Sequence, residues 1–264
     1  ALSSNLRGFP EAAAYPPNQA FLGALYPDDL RELPRPWYDV TSGLANGQLL
    51  RWGPHGELMP EEELCGLLKI SDAFDLVWLE EGFVKEAASA LRLHPLVSPA
   101  DLDLLGVGHS FSSIEAQVAG PEAALPLYLR DGRIIGCVNK AHAEDESLTP
   151  GVLLENLACK ASAAMALRSL LTQPGMNTES IDYVINCGEE AVGERYQRGG
   201  GNLAKAIAEM CGCVNATGAD VKAFCCGPVH SLVMAAALVH SGVFHQVAVV
   251  AGCSLAKLGM KFRG

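Results

Sequence analysis

The sequence predicts an α/β protein in which a mostly parallel sheet lies between helices. The first observation is that short apolar segments alternate with helical patterns from residue 101 onward. The second is composition: 49% of the 264 residues are hydrophobic and 19% are charged, which supplies a sizeable core. The third is that eight of the fifteen prolines lie in the first sixty residues. These observations divide the chain into an accessory region, residues 1–100, and an α/β region, residues 101–264.

The accessory region is predicted to be irregular at first and helical later. Proline fixes φ and lacks an N–H donor, so its density excludes long helices and central strands from the first sixty residues. Glu61, Glu62 and Glu63 are typical of a helix start, and apolar residues follow at helical spacing as far as residue 79. A second helix is predicted over residues 83–93.

The α/β region is predicted to begin with strands at residues 104–107 and 133–139. The strongest helical pattern covers residues 153–171, with Pro150 before it and Pro174 after it. The predicted order then continues with a strand at 181–186, a helix from 199–202 to 211, a strand at 220–224, a helix at 226–240 and a strand at 246–251. This alternation indicates βαβ units, which place neighbouring strands parallel.

Charge and cysteine content exclude several classes of function. Nineteen basic against thirty acidic residues give a net charge of −11, which cannot support general nucleic-acid binding. Nine cysteines, an odd number with no secretory signal before them, indicate a reducing compartment rather than a disulfide framework. No apolar segment approaches the ~20 residues that cross a bilayer. We expect a soluble cytoplasmic protein that binds neither nucleic acid nor membranes.

The candidate nucleophile is Cys225, in a short turn between a predicted strand and a predicted helix. A thiol at a helix N-terminus experiences the positive end of the helix dipole and unpaired N–H groups, and both favour the thiolate. Cys226 and Gly227 complete the turn; Gly227 permits close approach of a substrate or another backbone, and Pro228 suits the first helical turn. The alternative interpretation is that Cys225 and Cys226 are packing residues at a crowded junction.

The helix over residues 226–240 is apolar nearly all round, so we expect it to be buried in the middle of a layered fold. His230 lies five residues after Cys225, and a helical residue at that spacing points away from the first. We therefore interpret His230 as a packing or hydrogen-bonded histidine rather than as a catalytic base.

The segment from the predicted strand at 220–224 to the last strand resembles the nucleophile region of the thiolase and ketoacyl synthase III superfamily. The shared pattern is a strand, a cysteine followed by a small residue and glycine, an apolar helix, Ser241-Gly242, and an apolar strand ending at Gly252. This resemblance covers residues 150–264 and makes Cys225 the acyl-accepting cysteine, with Cys226 at the small-residue position. It implies that residues 101–264 form the N-terminal half of a thiolase-like fold, without the later half that carries the superfamily's catalytic histidine.

Longer and more unusual strings resemble a narrower family, the β subunits of component C of glycine/sarcosine/betaine reductase. They occupy residues 15–19, 35–38, 56–60, 67–77 and 252–262. The resemblance implies that an acetyl group, released from a carboxymethylated selenoprotein carrier, is held as a cysteine thioester and passed to phosphate to give acetyl phosphate. It implies as partners the other subunit of component C and the selenoprotein, in a homodimer or larger complex. No bound cofactor is expected.

A second candidate site is the segment Arg198, Gly199, Gly200, Gly201 and Asn202, before a predicted helix. A glycine run can present backbone N–H groups to an anion such as phosphate. The string matches no established phosphate-binding pattern, so a tight or flexible turn is the competing interpretation. No metal site is expected, because the cysteine pairs 211/213 and 225/226 lack the usual ligand spacing.

Two other functions remain open from the sequence. One is a non-catalytic thiolase-like scaffold that docks a catalytic partner subunit, which the missing half of the fold favours. The other is ketoacyl synthase or thiolase activity on coenzyme A thioesters, which would need that missing half.

Overall fold

The structure is a computed structural model. It describes residues 52–53, 56–57, 59–120, 124–129, 132–141, 148–188, 202–223 and 226–253. The chain divides into two units, residues 1–64 and 65–264. In the first unit, β1 (Trp52–Gly53) pairs with β2 (Gly56–Glu57) as a small antiparallel hairpin. The predicted irregularity of the first fifty residues concerns residues outside the described ranges.

Helix α1 (Glu61–Ser71) begins where the three glutamates predict, but the helical pattern does not continue to residue 79. Asp72 accepts hydrogen bonds from the backbone N–H groups of Phe74 and Val77, at 3.0 and 2.7 Å, and so turns the chain. Strand β3 (Val77–Leu79) follows, with Val77 and Leu79 buried on one face. The prediction of one long helix was wrong because alternate buried residues of a short strand also fit a helical spacing.

An antiparallel sheet contains β3 together with β4 (Leu125–Tyr128) and β5 (Ile134–Val138), in the order β3-β5-β4. Strand β5 confirms the prediction over residues 133–139. The second predicted helix is α2 (Glu81–Leu91), which begins after β3. The division predicted near residue 100 stays a prediction; β3 and β5 lie on opposite sides of it and share this sheet.

The predicted strand at residues 104–107 is absent from the structure, which places those residues after a short helix. Helix α3 (Pro99–Asp103) is held by a capping box between Ser98 and Asp101, and the chain turns at Gly106 with φ +67°. The apolar run was therefore misread, because it is a helix end and turn that exposes Leu104 and Val107. Helix α4 (Phe111–Ala119) follows, with Ser110 as its N-cap.

The second sheet is parallel and three-stranded. It contains β6 (Tyr183–Asn186), β7 (Thr217–Asp220) and β8 (Val247–Val250) in the order β7-β6-β8. The long helix α5 (Pro150–Leu171) and helix α6 (Leu203–Met210) accompany it, and both confirm predicted helices. We call the side of the sheet that α5 and α6 cover the covered face; Val184, Ala248 and Val250 are buried there.

Strand β7 covers residues 217–220, so it begins three residues and ends four residues earlier than the sequence predicts. Its residues are small because α6 and β6 approach closely: a Cβ on Gly218 would lie 3.0 Å from the Cβ of Ala204 and 2.3 Å from the carbonyl oxygen of Val184. The strand was predicted too far along the sequence because it lacks the apolar side chains that usually mark a buried strand.

Helix α7 (Gly227–His240) confirms the last predicted helix and packs against β8 and β6. The crossovers β6-α6-β7 and β7-α7-β8 run in opposite directions along the sheet, so right-handed connections place α7 on the side opposite α6. The expected burial of this helix is wrong for the structure, because only Gly227 and Ser231 are buried. Val229, Leu232 and Val233 are each more than 60% exposed, and His230 is exposed as well. We call this outward surface of α7 the open face. Among the described residues, no helix combines the length and hydropathy needed to cross a bilayer.

Candidate functional site

The candidate site lies at the carboxyl-terminal edge of the parallel sheet, where ligands commonly bind in α/β folds. Cys187 and Gly188 follow β6, Lys222 follows β7, and Gly252 follows β8. The register of the three strands aligns Asn186 with both Asp220 and Val250, so these strand ends lie side by side. The chain after β7 leads directly to the start of α7.

The predicted nucleophile Cys225 lies outside the described residues, and its two predicted supports lie within them. Cys226 is the N-cap of α7; its side chain is exposed, and its backbone N–H donates to the carbonyl oxygen of Ala223 at 3.1 Å. Gly227 is buried, and a Cβ there would lie 3.2 Å from the carbonyl oxygen of Cys187. The close neighbour of Gly227 is therefore the backbone after β6. The contribution of Cys226 and Gly227 to an oxyanion site stays a prediction.

Glycines at the ends of β6 and β8 let the backbones touch at this edge. A Cβ on Gly188 would lie 1.8 Å from the carbonyl oxygen of Gly252, and a Cβ on Gly252 would lie 1.9 Å from that of Cys159 in α5. Distances this short exclude any side chain, since the atoms encountered are backbone. Only glycine at positions 188 and 252 allows the backbone segments at this edge to approach so closely.

Two buried thiols reinforce these contacts by donating to backbone carbonyl groups. Cys159 Sγ lies 3.3 Å from the carbonyl oxygen of Gly252, and Cys187 Sγ lies 3.4 Å from that of Val250. Both side chains are buried, which suits packing better than nucleophilic attack. Cys253, by contrast, is exposed.

At the ends of β6 and β7, a polar pair of buried Asn186 and half-buried Asp220 joins these strands to α6. The Asn186 amide donates to Asp220 at 2.8 Å, and Asp220 accepts from the backbone N–H groups of Leu203 and Ala204 at 2.9 and 3.2 Å. The carboxylate therefore lies at the N-terminus of α6, where the helix dipole stabilises negative charge. Asp220 is a structural anchor of the site that the sequence pattern did not reveal as such.

The predicted anion site is described only at Asn202, because Arg198, Gly199, Gly200 and Gly201 lie outside the described residues. Asn202 is the N-cap of α6: its side-chain oxygen accepts from Lys205 N–H at 2.9 Å, and its amide donates to the carbonyl oxygen of Gly218. With the donors of Leu203 and Ala204 already bonded to Asp220, this helix start gives anion binding no additional support.

Cys211 and Cys213, for which no metal site is expected, belong to the core beside α5 and α6. Burial raises the pKa of the Cys211 thiol to about 12, against a smaller opposing effect of Arg168. Its sulfur donates to the carbonyl oxygen of Ala164 at 3.3 Å. A thiol so strongly held in its protonated form is a packing residue.

Lys222 is the site residue that the sequence interpretation missed. Its Nζ donates to the carbonyl oxygen of Gly188 at 3.1 Å, across the gap between β7 and β6. Partial burial lowers the pKa of Lys222 to about 8, although nearby Cys159 and Cys187 oppose that shift. The available signal was a single charged residue between an aspartate-terminated strand and Cys225, within an otherwise apolar segment.

A known protein is similar in sequence to nearly the whole of this chain. The glycine/sarcosine/betaine reductase complex component C subunit beta of Peptoclostridium acidaminophilum is 44% identical to this chain over 259 residues. The match covers 98% of this chain and 50% of the relative, so the chain spans about half the length of that protein. No protein-family profile matches the chain, and no solved structure matches it.

Proposed function

We propose that the chain transfers an acyl group through a thioester at Cys225, as part of a component C of the glycine/sarcosine/betaine reductase type. The observation that carries the proposal is the position of this cysteine. In the sequence it falls between Ala223, three residues after the end of β7, and Cys226, the N-cap of the 14-residue helix α7. The named relative, a component C subunit, supplies the assembly to which the proposal refers.

The helix start favours a thiolate at this position. The first turn of α7 carries N–H groups without partners inside the helix, and their partial positive charge stabilises a neighbouring anion. A thiolate is a good nucleophile and a good leaving group, so one difficult acyl transfer becomes two easier steps. Backbone N–H groups near the turn, including that of Cys225, are proposed to stabilise the negative charge that develops on the acyl oxygen.

Acyl transfer through Cys225 takes two steps. The Cys225 thiolate attacks the acetyl carbonyl carbon, a C–S bond forms, and the bond to the donor breaks with its electron pair leaving on the donor. A phosphate oxygen then attacks the thioester carbon, the C–S bond breaks, and acetyl phosphate leaves while the thiolate is restored. We propose that the acetyl group originates from a reductive cleavage on a carboxymethylated selenoprotein carrier elsewhere in the complex, and that this chain receives it from an activated acyl donor whose leaving group departs with the electron pair of the broken bond. Neither step requires a cofactor bound to this chain.

We also propose a fold, partners and a location for the chain. The mixed α/β fold with a parallel sheet is compatible with the N-terminal half of a thiolase-like fold, which we propose for residues 101–264. The other component C subunit and the selenoprotein are the proposed partners, in a homodimer or larger complex located in the cytoplasm. Phosphate at residues 198–202 stays part of this proposal.

Acyl labelling tests the proposal directly. The protein is incubated with acetyl phosphate, digested, and examined by mass spectrometry for acetyl on the peptide that contains Cys225. We expect acetyl on Cys225 that neutral hydroxylamine removes, as it does from thioesters. Cys225→Ser should abolish this hydroxylamine-labile label, and the matched variant Cys226→Ser should retain it. A labile label that persists in Cys225→Ser and disappears in Cys226→Ser would contradict the assignment.

The open face of α7 favours a second candidate, a scaffold subunit that docks the subunit carrying the reactive cysteine. Val229, Leu232 and Val233 expose a continuous apolar surface immediately after the Cys225 turn. Such surfaces on folded proteins mark sites of interaction. The scaffold function is supported if acetyl labels a partner subunit while Cys225 stays unlabelled in the assembled complex.

A further inference from the structure

Asn186, the last residue of β6, has a fully buried side-chain amide that forms hydrogen bonds in two directions. Its Nδ2 donates to Asp220 Oδ1 at 2.8 Å, and its Oδ1 accepts from the backbone N–H of Gly188 at 3.2 Å. Because β6 is the middle strand of the parallel sheet, these bonds tie its end both to β7 and to the chain that follows β6. This buried amide has no part in the acyl-transfer steps proposed for Cys225.

The amide of asparagine matches both of its partners. An ionised carboxylate such as that of Asp220 only accepts hydrogen bonds, and the Gly188 N–H only donates, so the side chain at residue 186 must donate on one side and accept on the other. An aspartate there would only accept, and it would place two negative charges together. An alanine would leave the buried N–H of Gly188 without its acceptor. The groups that Asn186 holds therefore determine its identity.

The bond to Gly188 fixes a peptide unit that reaches the start of α7. The N–H of Gly188 and the carbonyl group of Cys187 belong to the same planar unit, and in a trans peptide they point in opposite directions. While Asn186 holds the N–H, the carbonyl oxygen packs against Gly227, where an added Cβ would lie 3.2 Å away. Rotation of this unit would therefore move a backbone oxygen towards or away from the first residue of α7, two residues after Cys225.

We propose that Asn186 is a positioning residue for the Cys225 turn, because it locks the peptide unit between residues 187 and 188 against which α7 begins. The importance of the turn for acyl transfer rests on the proposed function. With the start of α7 in place, its first N–H groups face the thiolate and the negative charge that develops on the acyl oxygen. A displaced start would weaken both effects without removing any group that reacts.

The first test measures how fast the full chain incorporates labelled phosphate into acetyl phosphate. In Asn186→Ala the maximal rate should fall about ten- to a hundredfold while the half-saturating concentration of acetyl phosphate changes little, because misplacement slows the reaction more than it weakens binding. Protection of the buried thiol of Cys211 from alkylation shows that the variant is folded. A folded Asn186→Ala with the wild-type exchange rate would overturn the proposal.

Asn139→Ala is the matched control. Asn139 follows β5 of the antiparallel sheet, is half-buried, and its amide donates to the carbonyl oxygen of Leu76 at 3.2 Å. Both variants remove an amide at a strand end, so both should lower the free energy of unfolding, whereas the exchange rate should fall only in Asn186→Ala. Equal losses of exchange in the two folded variants would show that Asn186 has a structural role alone, which would overturn the proposal.

A rescue experiment tests the match between donor and acceptor. In Asn186→Asp two carboxylates face each other, and the exchange rate should fall as it does in Asn186→Ala. Adding Asp220→Asn places a donor opposite the new carboxylate, which still accepts from the Gly188 N–H. The double variant should therefore recover most of the exchange rate that Asn186→Asp loses. A folded double variant that exchanges no faster than Asn186→Asp would overturn the proposal.

Alkylation of Cys225 by iodoacetamide separates this inference from the proposed function, because it requires a thiolate and no acyl chemistry. In Asn186→Ala this alkylation should slow about two- to fivefold, which corresponds to the strength with which a helix N-terminus favours a nearby anion. In Asn139→Ala it should not change. Slower alkylation in a protein that catalyses no exchange would reject acyl transfer and keep the positioning role. Exchange and alkylation at wild-type rates in folded Asn186→Ala would do the reverse.

Discussion

The two sides of the parallel sheet carry helices of opposite exposure: α5 and α6 on the covered face, and α7 on the other side. On the covered face, α5 and α6 bury small and medium apolar residues against β6 and β8. On the other side, α7 is the more apolar helix in sequence, yet it buries only Gly227 and Ser231. An amphipathic helix needs one neighbour, whereas a helix that is apolar all round needs neighbours on every side. The comparison indicates that α7 is built for contacts that the described residues do not supply.

The largest loss in the free energy of unfolding is expected from breaking the ion pair that holds the covered-face helices in place. Arg168 of α5 donates twice to Asp101 of α3, at 2.8 Å each, and also donates to the carbonyl oxygens of Leu96 and Met210. Removing one partner leaves a buried carboxylate without its cation, so Arg168→Ala should lower the free energy of unfolding by about 3–5 kcal/mol. Urea denaturation measures the loss.

The matched control for that variant is an exposed pair with the same two-point geometry. Arg133 donates to Glu86 at 3.0 and 2.8 Å, with both side chains more than 40% exposed. Water already solvates these charges, so Arg133→Ala should cost no more than about 1 kcal/mol. Equal losses for the two variants would contradict the view that the buried pair anchors the covered face.

The next contrast compares one apolar residue from each face. Ile207 of α6 is fully buried, so Ile207→Ala should lower the free energy of unfolding by about 2–5 kcal/mol through lost burial and a cavity. Val233 of α7 is 64% exposed, so Val233→Ala should change it by no more than about 0.5 kcal/mol. Thermal unfolding of both variants checks this. A large loss for Val233→Ala in the isolated chain would show that the open face is already covered.

A smaller loss in the free energy of unfolding is expected from a substitution at Gly252, which follows β8 and contacts α5. Gly252→Ala would place a Cβ 1.9 Å from the carbonyl oxygen of Cys159, so backbone must move, at a cost of about 1–3 kcal/mol. Gly151→Ala, near the start of α5, meets no atom closer than 3.9 Å and should change the free energy of unfolding by no more than about 0.5 kcal/mol. Chemical denaturation distinguishes the two, and similar stabilities would contradict the close approach.

The smallest expected effect is a dependence of stability on pH. Burial alone would raise the pKa of Asp101, but hydrogen bonds from Arg168 and Ser98 outweigh it and lower the pKa. A carboxyl whose folded pKa lies below its unfolded value near 3.9 adds stability above that pH and loses it as the pH falls further. The free energy of unfolding should therefore decline below about pH 4 more steeply in the wild type than in Asp101→Asn. Parallel declines would contradict this.

The sequence predicted correctly those helices whose boundaries depend on residues only a few positions apart. Helix α5 was predicted from apolar spacing after Pro150, and helix α6 from the run at residues 199–202. In the structure Thr149 and Asn202 cap these helices, and each accepts from an N–H three residues later. Strand β7 was misplaced because its close neighbours require small residues instead of apolar ones. The burial of α7 was predicted from its composition. Composition shows that an apolar helix needs packing partners, but it does not show which surface provides them.

The sequence predicted only part of the candidate site, because some of its contacts join residues that are far apart in the chain. The turn with Cys226 and Gly227 could be predicted, since glycine permits a close approach of other backbone and proline suits the first turn of a helix. The link between Lys222 and Gly188 spans 34 residues, and that between Arg168 and Asp101 spans 67. No local pattern reports such contacts, because they depend on which strands and helices become neighbours after folding.

The central claim, acyl transfer through Cys225, is tested most directly by isotope exchange between labelled phosphate and acetyl phosphate. If the thiolate takes the acetyl group and returns it to phosphate, the protein should catalyse incorporation of labelled phosphate into acetyl phosphate. Cys226→Ser should keep this exchange, and Cys225→Ser should reduce it to the rate without protein. Exchange at the wild-type rate in Cys225→Ser would contradict the claim.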